Sequence, residues 1–177
     1  MALPDAMTNF GAVTLPYTVQ TTDLQPFTDN INYLAKTIGS TTSWTLGTFA
    51  SVSAAWNVMA LSALQSGSNP LGITYASGLF TLPVGTWVVT LVTEFLASIT
   101  HESALTSSTS ITPTTAGATT WANGSWGISA GETRGTLTAV VPSTGTSTVA
   151  GWWIPSTATT PSSVGFLPRI SFTWFPG

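Results

Sequence analysis

Few side chains of this 177-residue sequence could take part in catalysis. Its one histidine, His101, is followed by Glu102 and lies shortly after Glu94. Nucleophilic catalysis needs a Ser or Cys beside a base that a third group orients. The chain has no cysteine, its 21 serines are too many for nearness to His101 to carry meaning, and no G-x-S-x-G elbow occurs. His101 is therefore expected on the surface, in a loop that follows a strand. A carboxylate pair for glycoside hydrolysis would have to come from Asp5, Asp23, Asp29, Glu94, Glu102 and Glu132. The first three precede the bulk of the chain, and no motif surrounds the others. Glu94 interrupts an apolar run and would be costly to bury without a partner. Arg134, Arg169, a subunit interface and a solvent-facing position all remain open for it. One imidazole and no thiolate do not make up the usual metal ligand sets. No catalytic residue, cofactor or metal is expected, and the chain is read as a non-enzyme.

Two other patterns bear on binding. Asn123-Gly124-Ser125 matches a glycosylation sequon, but between Trp121 and Trp126 the same Asn-Gly is a hairpin signal that would set the two tryptophans across from each other. Trp121, Trp126, Trp152 and Trp153 could form a sugar-stacking platform, although packing is the commoner use of such residues. Charged residues are 5% of the chain, against about 25% in ordinary domains, while 34 Thr and 21 Ser supply hydroxyls. Three Lys/Arg without a cluster exclude a phosphate-binding footprint, so no nucleic-acid partner is expected.

The elements that must position these residues are of two kinds. Leu24, Phe27, Ile31, Leu34 and Ile38 are spaced as a coiled-coil seam. With Asp23 as N-cap, Pro26 in the first turn, Lys36 in the last and Gly39 beyond it, they predict a helix of about 16 residues, roughly 24 Å long. Its stripe serves either packing on its own domain or self-association. From position 40 the signals are β, with candidate strands at 44–52, 56–63, 72–75, 79–82, 86–98, 108–113, 119–122, 125–128, 135–141, 148–154 and 168–175. Segments 106–120 and 142–147 read as loops. In 86–98 the residues Trp87, Val89 and Leu91 share one face, but Val88, Val92 and Leu96 spoil the other, so this strand is expected to be covered on both sides. Ile170, Phe172 and Trp174 form one face of the last strand. This pattern predicts an all-β, antiparallel jelly-roll sandwich over 41–177, preceded by an arm and short helix over 1–40. The start lacks a signal-peptide pattern, and the run 78–99 is broken by Pro83, Gly85 and Glu94, so no membrane span is expected.

Gly78-Leu79-Phe80-Thr81-Leu82-Pro83-Val84-Gly85-Thr86-Trp87 resembles the G-x-F-x-x-P-x-x-G-x-Y signature of C1q/TNF-like jelly rolls, with one residue fewer between Pro83 and Gly85 and with Trp87 where Tyr is usual. The ending through Phe175 is similar to the buried terminal strand of that fold, which lies near the threefold axis of its trimers. Upstream, residues 17–24 followed by Asp29-Asn30-Ile31-Asn32-Tyr33-Leu34 resemble a leader that precedes C1q-like modules in tailed-phage structural proteins, although Gln25 replaces an Asn usual there.

These resemblances imply a homotrimer, with Trp87, Val89, Leu91, Ile170, Phe172 and Trp174 as trimer interface or core and the helix seam as a further contact. They imply a virion protein made in the host cytoplasm and placed on the capsid surface, where it would bind the phage major capsid protein or other virion proteins. The expected role is decoration and stabilisation of the head. The alternative is a tail fibre head or minor tail protein that binds the host surface. Composition agrees with assembly, because large apolar strand faces can be buried between subunits while few charges need desolvation.

Overall fold

After position 40 the abundant Thr, Val, Trp and Phe suit a pleated, half-buried surface, and in the computed structural model they form strands. The structure describes residues 24–31, 41–46, 50–59, 61–64, 71–115, 119–126, 133–163 and 167–176. The strands are β1 (Thr41–Leu46), β2 (Asn57–Val58), β3 (Leu61–Leu64), β4 (Thr74–Ala76), β5 (Leu79–Thr81), β6 (Gly85–Phe95), β7 (His101–Thr106), β8 (Thr120–Trp126), β9 (Thr133–Ser143), β10 (Thr148–Pro155) and β11 (Arg169–Phe175). They build a five-stranded sheet in the order β3-β1-β11-β6-β9 and a six-stranded sheet in which β4-β5-β10-β7-β8 run side by side and β2 pairs with β10. Neighbouring strands are antiparallel and mostly distant in sequence, as jelly-roll crossovers require. The fold is an all-β sandwich.

The core lies between the sheets. Trp44, Phe80, Trp87 and Phe172 meet there, with ring centroids 4.8 Å apart for Phe80 and Phe172 and 4.9 Å for Trp44 and Phe80. Trp87, Val89 and Leu91 on β6 and Ile170, Phe172 and Trp174 on β11 all point inward and are buried. The turn at Pro83-Val84-Gly85 sets this register. The indole of Trp87 donates to the Pro83 carbonyl at 2.8 Å and that of Trp174 to the Val84 carbonyl at 3.0 Å. Gly85 has φ +138°, and a Cβ there would collide with the Trp174 indole nitrogen. The tryptophan standing in the Tyr position of the signature thus has a polar partner as well as a packing role.

Several local expectations are corrected. His101 is not on a loop: it opens β7, a strand the sequence hides because its inward positions 101 and 103 are polar, and segment 108–113 is turns instead. Asn123-Gly124 is not a hairpin. β8 passes straight through it, paired with β7 from His101↔Trp126 to Ala104↔Asn123, so Trp121 and Trp126 lie on one strand. Gly124 is needed for space, since a Cβ there would stand 2.9 Å from both Leu137 and Trp126. Segment 142–147 is partly strand, because β9 extends through Pro142 to Ser143.

Residues 24–31 are helical (α1), with Gln25 donating to Asp29 at 2.7 Å. Leu24, Phe27 and Ile31 are about half exposed on it. Leu34 and Ile38, the rest of the proposed seam, lie outside the described residues, as do Asp23, Lys36 and Gly39.

Candidate functional site

The charged and imidazole groups occupy distinct places in the sandwich. His101 points into the core at 2% exposure. Its Nε2 lies 2.8 Å from the Thr93 hydroxyl, which in turn lies 3.0 Å from the Ser103 hydroxyl. The ring stacks on Trp126, with centroids 5.2 Å apart, and meets the edge of Phe95 at 5.1 Å. Among the described residues Nδ1 has no hydrogen-bond partner. Thr93 and Ser103 are buried as deeply as the imidazole, so neither hydroxyl can reach a substrate arriving from solvent. Among the described residues no carboxylate orients the ring, because Glu94 and Glu102 stand on the opposite faces of their strands. The network fills a polar gap in the core and does not form a nucleophile–base pair.

Burial holds His101 down, from the ordinary 6.5 to about 4, because a second N–H on the charged ring would lack solvent and acceptor. A group whose folded pKa is depressed in this way contributes stability above pH 6.5 that is lost as the pH falls toward 4. The loss attributable to His101 is expected to be on the order of 3 kcal/mol. Urea unfolding at pH 7 and pH 4, compared between the wild type and His101→Phe, checks this. The variant should lose clearly less stability on acidification, and an equal loss in both would contradict it.

Glu94 lies on the outward face of β6 yet is 1% exposed. Its carboxylate accepts from Arg134 Nε at 2.8 Å, and the two residues are direct cross-strand partners in β6 and β9. Where β11 stops, Pro161 and Ser162 take its place beside β6: Phe95 bridges Pro161, and the Ser162 N–H donates to the Glu94 carbonyl at 2.9 Å. Of the partners open in the sequence, Arg134 is the one that register supplies.

From this ion pair the outward face of the five-stranded sheet grades along the strands. Cross-strand rows read Arg169–Val92–Thr136, then Ser171–Thr90–Thr138, then Thr173–Val88–Val140, then Phe175–Thr86–Pro142. The middle is a field of hydroxyls that bond one another across strands: Thr41 with Thr173 and Ser43 with Ser171 at 2.8 Å, and Thr90 with Thr138 at 3.4 Å. Hydroxyls already paired within the sheet lose little when water is removed. The far end is apolar, with Val140 63%, Val84 61% and Phe175 39% exposed. Beyond the charged end at Glu94, Arg134 and Arg169, the neutral stretch of paired hydroxyls that ends in exposed valines is suited to burial against another protein surface.

The outward face of the six-stranded sheet differs. Trp152, Ala104 and Ala150 form a small cluster there, covered by Trp56, Val58 and Leu79, and the Trp152 indole donates to Thr106 Oγ1 at 2.9 Å and the Ser108 carbonyl at 3.1 Å. Beside Trp56 lies a depression of about 260 Å³, and a second of about 200 Å³ adjoins it, sharing Glu102 and Ser125.

The residues picked out as trimer interface or core, Trp87, Val89, Leu91, Ile170, Phe172 and Trp174, all lie between the sheets and point away from the outward face of their own sheet. A contact made through that sheet would instead use the alternate residues of the same strands, such as Val88 and Thr173. The four tryptophans considered as a platform are spent on packing: Trp152 and Trp153 are buried, Trp126 stacks on His101, and the Trp121 indole donates to the Thr148 carbonyl. Trp56, which lines the groove, lay inside a candidate strand. Nothing in sequence spacing brings it beside Glu102. Among the described residues no group of three His, Asp or Glu could hold a metal, and no helix is long and apolar enough to cross a membrane.

This architecture belongs to the class of TNF-type jelly rolls. Two crystal structures of murine APRIL, a TNF-family protein, at pH 5.0 and pH 8.0, superpose with TM-scores of 0.53 and 0.52. Sequence identity is 8% in each case, and the match covers 77% of this chain and 98% of the APRIL chain. At that identity the likeness is one of fold. No protein-family model and no curated protein matches the chain.

Proposed function

We propose that this chain is a non-enzymatic structural protein that works as a homotrimer, and that its role is to decorate and stabilise the head of a tailed phage. The observation that carries the self-association is the outward face of the five-stranded sheet, whose hydroxyls bond one another while Val84, Val140 and Phe175 stand exposed. The C1q/TNF-like resemblance supports a trimer, because the terminal strand of that fold lies near the threefold axis of its trimers, and β11 belongs to this sheet. The virion role is supported by the leader motif at residues 17–34 and by a composition poor in charge.

Val140→Arg places a charge in the apolar end of the proposed contact without touching the core. The variant is expected to run as a folded monomer by size exclusion with light scattering, with unchanged circular dichroism. An intact oligomer would move the contact elsewhere. For the virion role, quantitative gels of purified particles should show the protein in numbers comparable to the major capsid protein. A few copies per particle would instead support the tail fibre head or minor tail protein. That second reading is favoured by one observation, the polar groove beside Trp56.

A further inference from the structure

The two outward faces of the sandwich treat their polar side chains in opposite ways. On the five-stranded sheet the hydroxyls are paired with one another. On β7 and β8, Glu102, Asn123 and Ser125 stand exposed, and among the described residues their side chains have no hydrogen-bond or ion-pair partner. They sit close together, because Glu102 is the direct cross-strand partner of Ser125 and Asn123 is that of Ala104, one outward position along. The small Ala104 keeps the floor low between them. Trp56, held on the Ala104–Trp152 cluster, forms one wall, and Pro113 and Thr114 line the same depression. The second depression continues past Glu102 and Ser125 to Ile154 and Ser156. Each alone is smaller than the ~300–1,000 Å³ of ordinary ligand pockets, but the two adjoin across a shared floor.

We propose that this groove binds an uncharged saccharide. The apolar face of a pyranose ring would stack on the Trp56 indole, as sugar C–H groups do on aromatic surfaces. Its hydroxyls would donate to the Glu102 carboxylate and exchange hydrogen bonds with the Asn123 carboxamide and the Ser125 hydroxyl. These three groups offer acceptors and donors side by side, which is the complement of adjacent sugar hydroxyls. Among the described residues no Lys or Arg lines either depression, and Glu102 contributes a negative charge, so acidic sugars and phosphates are disfavoured. The site lies on the sheet opposite to the proposed subunit contact, so assembly leaves it open.

The test uses the full chain with methyl glucoside, galactoside and mannoside, N-acetylglucosamine, glucuronate and tetramethylammonium as probes, followed by saturation-transfer NMR and tryptophan fluorescence. At least one neutral pyranoside is expected to bind at millimolar or tighter Kd, with glucuronate weaker than its neutral counterpart. Glu102→Ala and Asn123→Ala, both exposed substitutions, should each weaken it about tenfold or more, the size of one lost charge-assisted or amide hydrogen bond. Trp56→Ala should abolish it, but Trp56 also covers Trp152, so Glu102→Ala is the decisive variant. Absence of binding by every neutral sugar, or binding unchanged in Glu102→Ala, would overturn the proposal. So would preference for tetramethylammonium, which would make the site a cation pocket. The mass of Glu102→Ala in solution should equal that of the wild type, so loss of sugar binding and loss of assembly are read separately.

Discussion

Phe172→Ala is expected to lower the unfolding free energy by about 3–5 kcal/mol, the usual cost of removing a buried aromatic ring and leaving a cavity. Phe172 is fully buried on β11, with ring centroids 4.8 Å from Phe80, 5.6 Å from Trp44 and 6.5 Å from Trp87. These neighbours come from both sheets, so the ring is one of the groups that hold the sandwich shut. Domains of this kind have only about 5–15 kcal/mol in total, and the variant should unfold at a much lower denaturant concentration. Phe172→Asp should not fold at all, since it adds an unpartnered charge to the same cavity. The adjacent Thr173→Ala, on the outward face, should cost no more than about 1 kcal/mol. A small effect at Phe172 together with a large one at Thr173 would mean that the strand is turned over.

Arg134→Leu is expected to cost about 3–5 kcal/mol, although Arg134 itself is 40% exposed, because it strands a carboxylate that is 1% exposed. The expense belongs to Glu94 and not to the arginine. Replacing both residues with Leu should therefore recover much of the loss, since two apolar side chains facing each other across β6 and β9 need no partner. Urea unfolding of the two single variants and the double variant measures the coupling. If Arg134→Leu alone cost under about 1 kcal/mol, Glu94 would have to draw its stabilisation from elsewhere.

What the sequence made legible was what repeats. Alternation at 87, 89 and 91 and at 170, 172 and 174 marked two inward faces, and the Pro83-x-Gly85 turn marked the corner between strands. Both hold because each depends on neighbours within a few residues. Glu94 was visible as a conflict, a charge in an apolar run, but choosing Arg134 over Arg169 required the β6–β9 register, which no local pattern encodes. His101 was misplaced for a related reason. Its strand carries His101 and Ser103 on the inward face, where alternation leads one to expect apolar residues, and only Thr93 on another sheet explains them. Asn123-Gly124 misled because glycine serves two purposes: it permits a turn, and it leaves room. Here it leaves room for Trp126 and Leu137. The groove was not legible at all, because Trp56, Glu102 and Asn123 meet only through the pairing of three strands and a covering loop.

Assembly through the outward face of the five-stranded sheet is the claim on which the functional reading turns, and the mass of the wild-type chain in solution tests it most directly. Light scattering across a range of concentrations should give three times the 18.3 kDa chain mass, falling to one chain in Val140→Arg. A wild type that stays at the mass of a single chain at every concentration would contradict it.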